Sequence, residues 1–411
     1  MEVATTHSKT ENKLVPALRF KEFEGEWEKN KLGAISKITT GSTPSTSVDE
    51  FYNGNYLFVS PADMQGNRYI KSTKTTLTVA GFDKCRKLKK GSVLFVCIGS
   101  TIGKVAQSIG ECSSNQQINA LEAKENFSND FIYSLLEKNG QRIKLLAGVQ
   151  AVPQINKTDF SNLKYLFPSL PEQQKIAAFL AAVDDKIQQL SKKAALLAQY
   201  KKGVMQQLFA GELRFKDDNG NTYPDWEEKR LGEFLKYYDG THQTPKYVEQ
   251  GVPFYSVEHV TANQFVKTKF ISEEVFEKEN KRVKLENGDI LMTRIGDIGT
   301  SRIIDWDVRA SFYVSLALLK QNSSFDSTYL NQYISSVPFQ KELWAKTIHV
   351  AFPKKINLGE IGKCKAQLPS LDEQQKIARY LSGIDTKIES VTNQITQTQT
   401  FKKGLLQQLF V

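Results

Sequence analysis

Apolar residues recur at alternating intervals of four and three along two long stretches of the chain, residues 170–209 and 371–410. This spacing places one narrow apolar seam on a helix whose remaining surface is polar. The seam residues are Ile176, Leu180, Val183, Ile187, Leu190 and Leu197 in the first stretch, and Ile377, Leu381, Ile384, Ile388, Val391 and Ile395 in the second. A helix of about 40 residues is roughly 60 Å long, too long to be buried in one small domain. The pattern therefore predicts two long helices that pair as an intramolecular coiled coil.

The seam weakens at two kinds of position. The second stretch carries threonine and glutamine at residues 396–399, and each stretch has a glycine, Gly203 or Gly404, near its end. Polar seam positions and glycine both weaken helix packing. We expect looser pairing or a bend at these places.

The two helical stretches are copies of each other. They align without a gap, each residue matching the one 201 positions later, as Leu170 matches Leu371. A spacing of this size indicates duplicated domains rather than a solenoid, whose repeats are about 20–50 residues long. The regions before the helices match as well, through a Leu-Arg-Phe triplet at residues 18–20 and 213–215 and through Trp27 and Trp226.

The duplication divides the chain into domain, helix, domain and helix. We predict a flexible tail over residues 1–15 and two globular domains. The predicted boundaries are 16–169 and 210–370 for the domains, and 170–209 and 371–411 for the helices.

Within each domain, short runs rich in β-branched and aromatic residues are bounded by glycine, which is typical of buried strands. The predicted strands are residues 56–60, 91–99 and 163–167 in the first domain, and 252–256, 288–296 and 363–368 in the second. One helix is predicted in each domain, at residues 130–146 and 327–345. The fold class is therefore α+β, with two mixed, mostly β domains separated by long helices.

The charge and cysteine content of the chain favour some classes of function and cellular compartment over others. The chain has 411 residues, 55 Lys plus Arg against 45 Asp plus Glu, and a formal net charge of +10. This balance favours a polyanionic partner such as nucleic acid but also suits proteins that are merely basic. The four cysteines lack metal-site or disulfide spacing, which favours a reduced compartment. Without a signal-peptide pattern or membrane-length apolar run, we expect a cytoplasmic protein with no membrane partner.

Two stretches resemble catalytic or nucleotide-binding motifs without completing them. Residues 99–104, Gly-Ser-Thr-Ile-Gly-Lys, have three residues between the glycines where a phosphate-binding loop has four, and Val105 replaces its Ser or Thr. A structural turn after a buried strand fits better, because the second copy at Gly296 and Gly299 lacks the lysine. Acidic residues near Trp226 could suggest a nuclease carboxylate cluster, but they lie in the turn around this tryptophan. The sequence therefore predicts neither a catalytic site nor a metal site.

Polar and basic loops at equivalent places in both copies suit DNA better. Basic clusters precede the buried strands at residues 91–99 and 288–296, and polar loops offer donors and acceptors for base edges. In the first domain, the candidate DNA-binding residues are Thr40, Ser42, Thr43, Ser60, Gln65, Asn67, Arg68, Lys84, Arg86, Lys87, Lys89, Lys90, Ser100, Thr101 and Lys104. In the second they are Thr241, His242, Gln243, Thr244, Lys246, Ser256, Glu258, His259, Lys281, Arg282, Lys284, Arg294, Asp297, Thr300 and Arg302. Ordinary loop polarity would explain any one of them.

Together these motifs resemble the specificity subunit of type I restriction-modification systems along nearly the whole chain. The resemblance rests on Leu-Pro-Glu-Gln-Gln-Lys-Ile-Ala at residues 170–177, its copy at 371–378, the Gln-Gln-Leu-Phe helix endings and the Leu-Arg-Phe triplets. It implies two target recognition domains, each reading one half of a split DNA target. It also implies that the long helices separate these domains and dock two modification subunits.

The resemblance implies that this chain performs no chemistry and binds no cofactor itself. S-adenosylmethionine for adenine methylation would be bound by the modification subunits, and ATP and Mg would serve the restriction subunits. Antiparallel packing of the two similar helices would create a pseudo-twofold axis and place the recognition domains about one DNA turn, roughly 34 Å, apart. Since the loops of the two domains differ, the target should be asymmetric, with an unread gap.

Two other functions remain open from the sequence. A stand-alone two-domain regulator or architectural protein would use the helices as a brace, and a protein-binding adaptor would carry its charge incidentally. The salt dependence of binding distinguishes the adaptor from the two DNA-binding proteins, because phosphate contacts make DNA affinity fall steeply as the salt concentration rises.

Overall fold

The computed structural model describes residues 14–148 and 152–411. The chain forms two compact units: unit 1 contains the chain up to Lys193 together with Val391–Val411, and unit 2 contains Ala194–Ser390. This division falls inside both long helices, whereas the sequence-based boundaries lie at their ends. Nearly all of the predicted tail, residues 1–15, lies outside the described residues.

Before the first long helix, the described residues of unit 1 form ten strands and four α-helices. The strands are β1 (Glu28–Lys31), β2 (Ser36–Thr40), β3 (Tyr52–Val59), β4 (Tyr69–Ile70), β5 (Thr75–Leu77), β6 (Val93–Val96), β7 (Val105–Ser108), β8 (Cys112–Ser114), β9 (Ile118–Ala123) and β10 (Lys164–Phe167). The helices are α1 (Leu32–Ile35), α2 (Val79–Asp83), α3 (Asn129–Leu146) and α4 (Lys157–Asn162). The strands form a five-stranded sheet of order β2-β9-β6-β7-β4, a three-stranded sheet β5-β3-β8 and the pair β1-β10.

The long helices are α5 (Leu170–Phe209) and α12 (Leu371–Gln408), and unit 2 contains the elements between them. Its strands are β11 (Glu227–Arg230), β12 (Tyr237–Asp239), β13 (Tyr247–Val248), β14 (Val252–Tyr255), β15 (Lys269–Ile271), β16 (Ile290–Ile295), β17 (Asp297–Ile303), β18 (Ser311–Phe312), β19 (Leu316–Leu319) and β20 (Lys365–Leu368). Its helices are α6 (Leu231–Phe234), α7 (Val257–Ala262), α8 (Glu273–Asn280), α9 (Ser327–Ile334), α10 (Val337–Ala345) and α11 (Leu358–Gly362). The sheets are β12-β19-β16-β17, β13-β15-β14-β18 and the pair β11-β20.

One predicted helix is wrong. Residues 327–345 form two helices, α9 and α10, separated by Ser335 and Ser336. Ser336 caps α10 by accepting a hydrogen bond from the Phe339 amide, and Pro338 occupies its first turn. Proline lacks an amide donor and suits a helix start better than its interior. The counterpart α3 remains one helix.

The predicted seams form the buried sides of α5 and α12. In unit 1, Ile176 and Leu180 of α5 share a core with Leu405 and Leu409 of α12. In unit 2, Leu208 of α5 shares a core with residues of α12, including Ile377, Leu381 and Ile384. Residues early in α5 thus pack with residues late in α12, and the reverse, which confirms antiparallel pairing.

Neither weak place in the seam interrupts a helix. α12 continues through the threonine and glutamine residues. The threonine hydroxyl groups donate to carbonyl oxygens one turn earlier, as Thr398 does to Gln394 at 2.7 Å. Gly203 and Gly404 also lie within continuous helix. Side-chain bonds of this kind keep threonine hydroxyls satisfied inside a helix.

The repeated sequence motifs join each globular part to its long helix. Arg19 of the first Leu-Arg-Phe triplet donates two hydrogen bonds of 2.8 Å to Glu172 near the start of α5. In unit 2, Arg214 bonds to Glu373 of α12 in the same way, at 3.2 and 2.8 Å. The side chain of Gln173 accepts from the Ser128 amide and donates to the Pro168 carbonyl. The Glu-Gln motif therefore anchors the helix to the domain beside it.

Candidate nucleic-acid interface

Several predicted DNA-binding residues of unit 1 lie at one edge of the five-stranded sheet. Strand β9 pairs antiparallel with both β2 and β6, and β6 pairs antiparallel with β7. The ends of β2 and β6 therefore meet the starts of β9 and β7. This places residues 41–47, 97–104 and 115–117 together, and we call this edge, with Thr40, the reading edge of unit 1.

Hydrogen bonds tie these loops to one another. The Ser42 hydroxyl accepts from the Arg86 amide at 2.8 Å, and the Arg86 guanidinium donates to the Thr40 carbonyl at 2.8 Å. The Thr43 hydroxyl donates to Oε1 of Gln116 at 2.7 Å. A loop held on several sides presents its exposed groups in a fixed geometry, which favours recognition of a rigid duplex.

Sequence reasoning missed part of this edge. Asn115, Gln116 and Gln117 connect β8 to β9, and the side-chain Nε2 of Gln117 donates to the Ile98 carbonyl at 3.4 Å. In unit 2 the equivalent residues are 313–315, before β19. The available signal was a short polar run directly before a buried strand, but the sequence does not reveal that β9 lies between β2 and β6.

Unit 2 has an equivalent reading edge. Strand β19 pairs antiparallel with β12 and β16, and β16 pairs antiparallel with β17. Residues 240–246, 296–297 and 313–315 therefore lie together. Thr244 and Tyr313 are joined by a hydroxyl contact of 3.1 Å, while His242 contacts Asp239 at 2.8 Å. This edge carries side chains different from those of unit 1.

Arg282 repeats the role of Arg86. Its guanidinium donates to the carboxylate and the carbonyl oxygen of Asp239, the last residue of β12, as Arg86 does to the last carbonyl of β2. Burial raises the pKa of Asp239, but hydrogen bonds from Arg282 and His242 outweigh it and lower the pKa overall. Both arginines brace their reading edges and remain exposed.

The basic clusters are divided between two edges of each sheet. Arg86 and Arg282 lie at the reading edge, but the carbonyl of Lys89 accepts from Ser108 at the far end of β7. Likewise, the carbonyl of Lys284 accepts from Lys320, just beyond β19. The structure thus separates Lys89 and Lys284 from the reading loops that the sequence grouped with them.

Cys97, directly after β6, and Arg294, near the end of β16, differ in charge. Cys97 and Arg294 are equivalent, because each accepts a backbone hydrogen bond at its carbonyl, from Ile155 and Ile356 respectively. Burial raises the pKa of Cys97 to about 12, which keeps its thiol neutral. Burial lowers the pKa of Arg294, whose guanidinium donates to the Val314 carbonyl at 3.0 Å.

Four predicted contact residues are buried: Arg68, Thr241, His259 and Arg294. Arg68 donates to Gln107 at 2.7 Å and to Asp130 at 2.6 Å, with only 3% of its side chain exposed. His259 accepts from the Ser256 amide at 2.9 Å and so closes the start of α7. Internal contacts account for Arg68 and His259, so we leave both out of the proposed interface.

The remaining candidates lie on the surface or are half-buried. The exposed residues are Gln65, Asn67, Lys84, Arg86, Lys87, Lys89, Lys90, Ser100, His242, Gln243, Thr244, Lys246, Glu258, Lys281, Arg282, Lys284 and Asp297. The half-buried residues are Thr40, Ser42, Thr43, Ser60, Thr101, Lys104, Ser256, Thr300 and Arg302. Their contacts with DNA stay predictions.

The turn from Gly99 to Lys104 packs against the protein itself. A Cβ atom on Gly103 would lie 2.5 Å from the carbonyl oxygen of Gly140 in α3. Only glycine permits such a close approach of two backbones. Lys104 extends its ammonium group to 3.5 Å from the Pro61 carbonyl. These contacts favour the structural-turn interpretation over a phosphate-binding loop.

Neither a bilayer-crossing helix nor a metal-binding cluster occurs within residues 14–148 and 152–411. None of the helices there is long and apolar enough to cross a membrane. No three His, Cys, Asp or Glu side chains of the same residues are grouped to hold a metal ion.

Comparisons with known proteins agree with the duplicated architecture. The model of the type I restriction modification DNA specificity domain matches twice, at residues 24–198 and 223–398. The MjaVIII specificity subunit of a type I restriction enzyme from Methanocaldococcus jannaschii is 26% identical, over 94% of each chain. The HindI specificity subunit from Haemophilus influenzae is 30% identical over 35% of this chain and 32% of its own.

Solved structures share the fold. The S subunit of a type I restriction-modification system from M. genitalium superposes with a TM-score of 0.61 at 17% identity, covering 97% of this chain and 99% of its own. A chain from a study of type I R-M complex assembly gives 0.58 at 17% identity, covering 93% and 97%. With two matches that together cover most of its length, the chain belongs to the family of type I restriction modification DNA specificity domains.

Proposed function

We propose that this chain is the DNA-recognition subunit of a type I restriction-modification complex, in which each unit reads one half of an asymmetric, bipartite duplex target. The observation that carries the proposal is the pair of equivalent reading edges with different side chains. Unit 1 presents Thr43 and Gln116, joined at 2.7 Å, where unit 2 presents Thr244 and Tyr313, joined at 3.1 Å. One scaffold with two surfaces is what two different half-targets require.

Charge supports a DNA partner over a protein-only adaptor. The net charge is +10, and each reading edge has an arginine beside it, Arg86 in unit 1 and Arg282 in unit 2. In unit 1 Lys84 and Arg86 are exposed beside the edge, and in unit 2 Lys246 and Arg282 are exposed. Cationic side chains near polar loops position a protein on phosphates while the loops contact bases.

We assign the chemistry of the complex to its other subunits. The thiols of Cys97, Cys112 and Cys364 are buried and their pKa values are raised to about 12, which makes them poor nucleophiles at neutral pH. S-adenosylmethionine would be bound by modification subunits, and ATP with Mg would serve restriction subunits. This chain would supply recognition and assembly.

Each unit has a group of aromatic side chains on or packed against a long helix, which we call its aromatic strip: Phe20 and Phe179 in unit 1, and Phe215, Tyr380 and Tyr200 in unit 2. Two equivalent strips suit two copies of one protein partner. In unit 1, Phe20 packs edge-on against Phe179 of α5, with ring centroids 5.8 Å apart. In unit 2, Phe215 packs against Tyr380 of α12 at 5.3 Å, and the Tyr380 hydroxyl lies 2.6 Å from that of Tyr200. Phe179 and Tyr380 match in the duplication, and both are exposed. We assign one modification subunit to each strip, because exposed aromatic groups are enriched at protein interfaces.

Exchange of one globular part tests the proposed recognition. Residues 16–169 would be replaced by the equivalent segment of another family member, and the complex with modification subunits would be used to methylate genomic DNA. Mapping methylated adenine should show one half of the target changed and the other retained. A change in both halves would refute independent reading, and methyl transfer by the purified chain alone would refute the assignment of chemistry to other subunits.

A further inference from the structure

A loop at the reading edge of unit 2 exposes two large apolar side chains. Val350 is 97% exposed and Phe352 is 104% exposed, relative to a fully accessible residue of the same type. Isolated exposed apolar residues are common on protein surfaces. Complete exposure of a phenylalanine and a valine two residues apart, at the tip of one loop, is not explained by folding.

This loop, residues 349–354, is closed at its base by backbone pairing. The Ile348 amide donates to the Lys355 carbonyl at 2.8 Å, and Lys355 also pairs with Ile295 at the end of β16. The Gly296 amide donates to the Lys354 carbonyl at 2.8 Å. Because β16 ends at the reading edge, the loop lies beside residues 296–297.

Side chains at the base of the loop hold it in place. The indole ring of Trp344 lies 4.2 Å from the ring of His349, measured between centroids. The ammonium of Lys354 lies 5.0 Å from the centroid of the same indole. Trp344, His349 and Lys354 thus pack on one another at the base of the loop, whereas Phe352 is not part of this cluster. These contacts hold the base of the loop in place beneath its apolar tip.

The surroundings of the tip favour DNA as its partner. Lys354 and Lys355 are exposed next to Phe352, and charges of this kind suit phosphates. Proteins that deform DNA insert apolar side chains between base pairs, and cationic groups beside them bind the backbone. A protein partner would find the same apolar tip, but the tip lies at the edge that presents the polar reading loops.

We propose that Phe352, with Val350 beside it, is an apolar wedge that enters a groove of bound DNA and partly unstacks a base step in or next to the half-target of unit 2. The proposal rests on the proposed function, because it requires unit 2 to bind duplex DNA. It adds a deformation of the duplex to the hydrogen-bonding readout. Sequence preference at that step would then depend on how easily the step unstacks.

The experiment uses the full chain and a duplex that contains its methylation-mapped target. Affinity of the wild-type protein, Phe352→Ala and the control Phe401→Ala would be measured by fluorescence anisotropy at several salt concentrations. Phe401 is an exposed phenylalanine of α12 and serves as the matched control. We expect Phe352→Ala to weaken binding at least about tenfold without changing the salt dependence. Lys354→Ala should instead reduce the salt slope by about one.

The second readout is 2-aminopurine placed in turn at each position of the target. Wild-type protein and Phe401→Ala should raise its fluorescence at one step, and Phe352→Ala should not. Wild-type affinity together with an unchanged fluorescence profile for Phe352→Ala would overturn the wedge and leave a protein partner as the occupant of the tip. Absence of target binding by the wild-type chain would instead overturn the proposed function on which the wedge rests.

Discussion

At the scale of single residues, one buried carboxylate joins each globular part to its long helix. Glu172 accepts two hydrogen bonds from Arg19, while Glu373 accepts two from Arg214 and a third from the indole of Trp226 at 3.0 Å. These bonds raise the pKa of both arginines. A buried carboxylate with several donors is stable only while all its partners are present.

We expect Glu373→Gln to destabilise the protein by about 2–4 kcal/mol, because the neutral amide leaves Arg214 with only the exposed carboxylate of Asp225, 3.6 Å away, as its counter-charge. Glu172→Gln should cost less, since Glu172 lacks the third donor. Urea unfolding of both variants would measure the difference, with exposed Glu249→Gln as the control. A smaller loss for Glu373→Gln than for Glu172→Gln would contradict this ordering.

Individual side chains also show where sequence reasoning reaches its limit. The Leu-Arg-Phe and Glu-Gln motifs were visible as repeats, but their pairing was not, because Arg19 and Glu172 lie 153 residues apart. The charge of Arg68 within a polar loop predicts a DNA contact. Its partners, Gln107 and Asp130, are 39 and 62 residues away, so its burial could be known only from the fold.

At the scale of elements, the long helices are joined by reciprocal ion pairs. In unit 1, Lys402 of α12 contacts Asp184 of α5 at 2.6 Å. In unit 2, Lys201 of α5 contacts Asp385 of α12 at 2.7 Å. Each residue of one pair matches a residue of the other in the duplication. Since charged pairs in a helix interface can fix its register, we infer that these pairs specify the antiparallel alignment.

Lys402 should matter more than Lys201, because it also contacts Glu137 at 2.6 Å and its side chain is only 9% exposed. Lys402→Met would leave Glu137 and Asp184 without this shared cation, and we expect a loss of about 3 kcal/mol at neutral pH. Lys201→Met should cost less, and exposed Lys403→Met should be neutral. Thermal unfolding of the three variants would measure this ordering.

The pH dependence of the Lys402→Met defect provides a second check. Burial raises the pKa of Glu137, and Lys402 opposes that rise. In the variant the pKa of Glu137 should be higher still, so its protonated form stabilises the fold at low pH and this contribution is lost as the pH rises. The defect should therefore be smaller at pH 5 than at pH 8. A defect that grows on acidification would contradict the argument.

Elements could be predicted from sequence where their pattern was long and regular. The seam of α5 and α12 repeats over many turns, so the periodicity sufficed. The break between α9 and α10 interrupts an apolar pattern that continues through Ser335 and Ser336. Its local signals, the Ser336 cap and Pro338 in the first turn of α10, are short compared with that pattern. The order of strands in the sheets depends on contacts that the sequence does not display.

At the scale of the whole molecule, duplication preserved the anchors and changed the reading edges. The pairs Arg19–Glu172 and Arg214–Glu373 are equivalent. At the edges, Cys97 corresponds to Arg294, and Ser100 to Asp297. Because the arginine–glutamate anchors are the same in both units while the reading edges differ, either edge can change without disturbing the scaffold. This separation is the physical basis for expecting half of the target to change when one domain is exchanged.

Duplication also predicts how many partner subunits assemble. If each aromatic strip binds one modification subunit, Phe179→Ser should leave only the site at Tyr380, and Tyr380→Ser only the site at Phe179. Light scattering of the purified complexes should then give two modification subunits for the wild-type chain, one for either variant and none for the double variant. Substitution of an aromatic anchor at an interface typically costs about 2 kcal/mol or more, enough to lose a subunit at micromolar concentration.

Val266→Ser, at an exposed apolar residue outside both strips, is the matched control and should retain two modification subunits. DNA binding by the Phe179→Ser and Tyr380→Ser chains alone should equal that of the wild type, because the reading edges are untouched. Two bound subunits in the double variant would place docking elsewhere on the chain. Loss of both subunits from either single variant would mean that the two strips do not act independently. The assignment of one subunit to each strip would then fail, even though the strips contribute to docking.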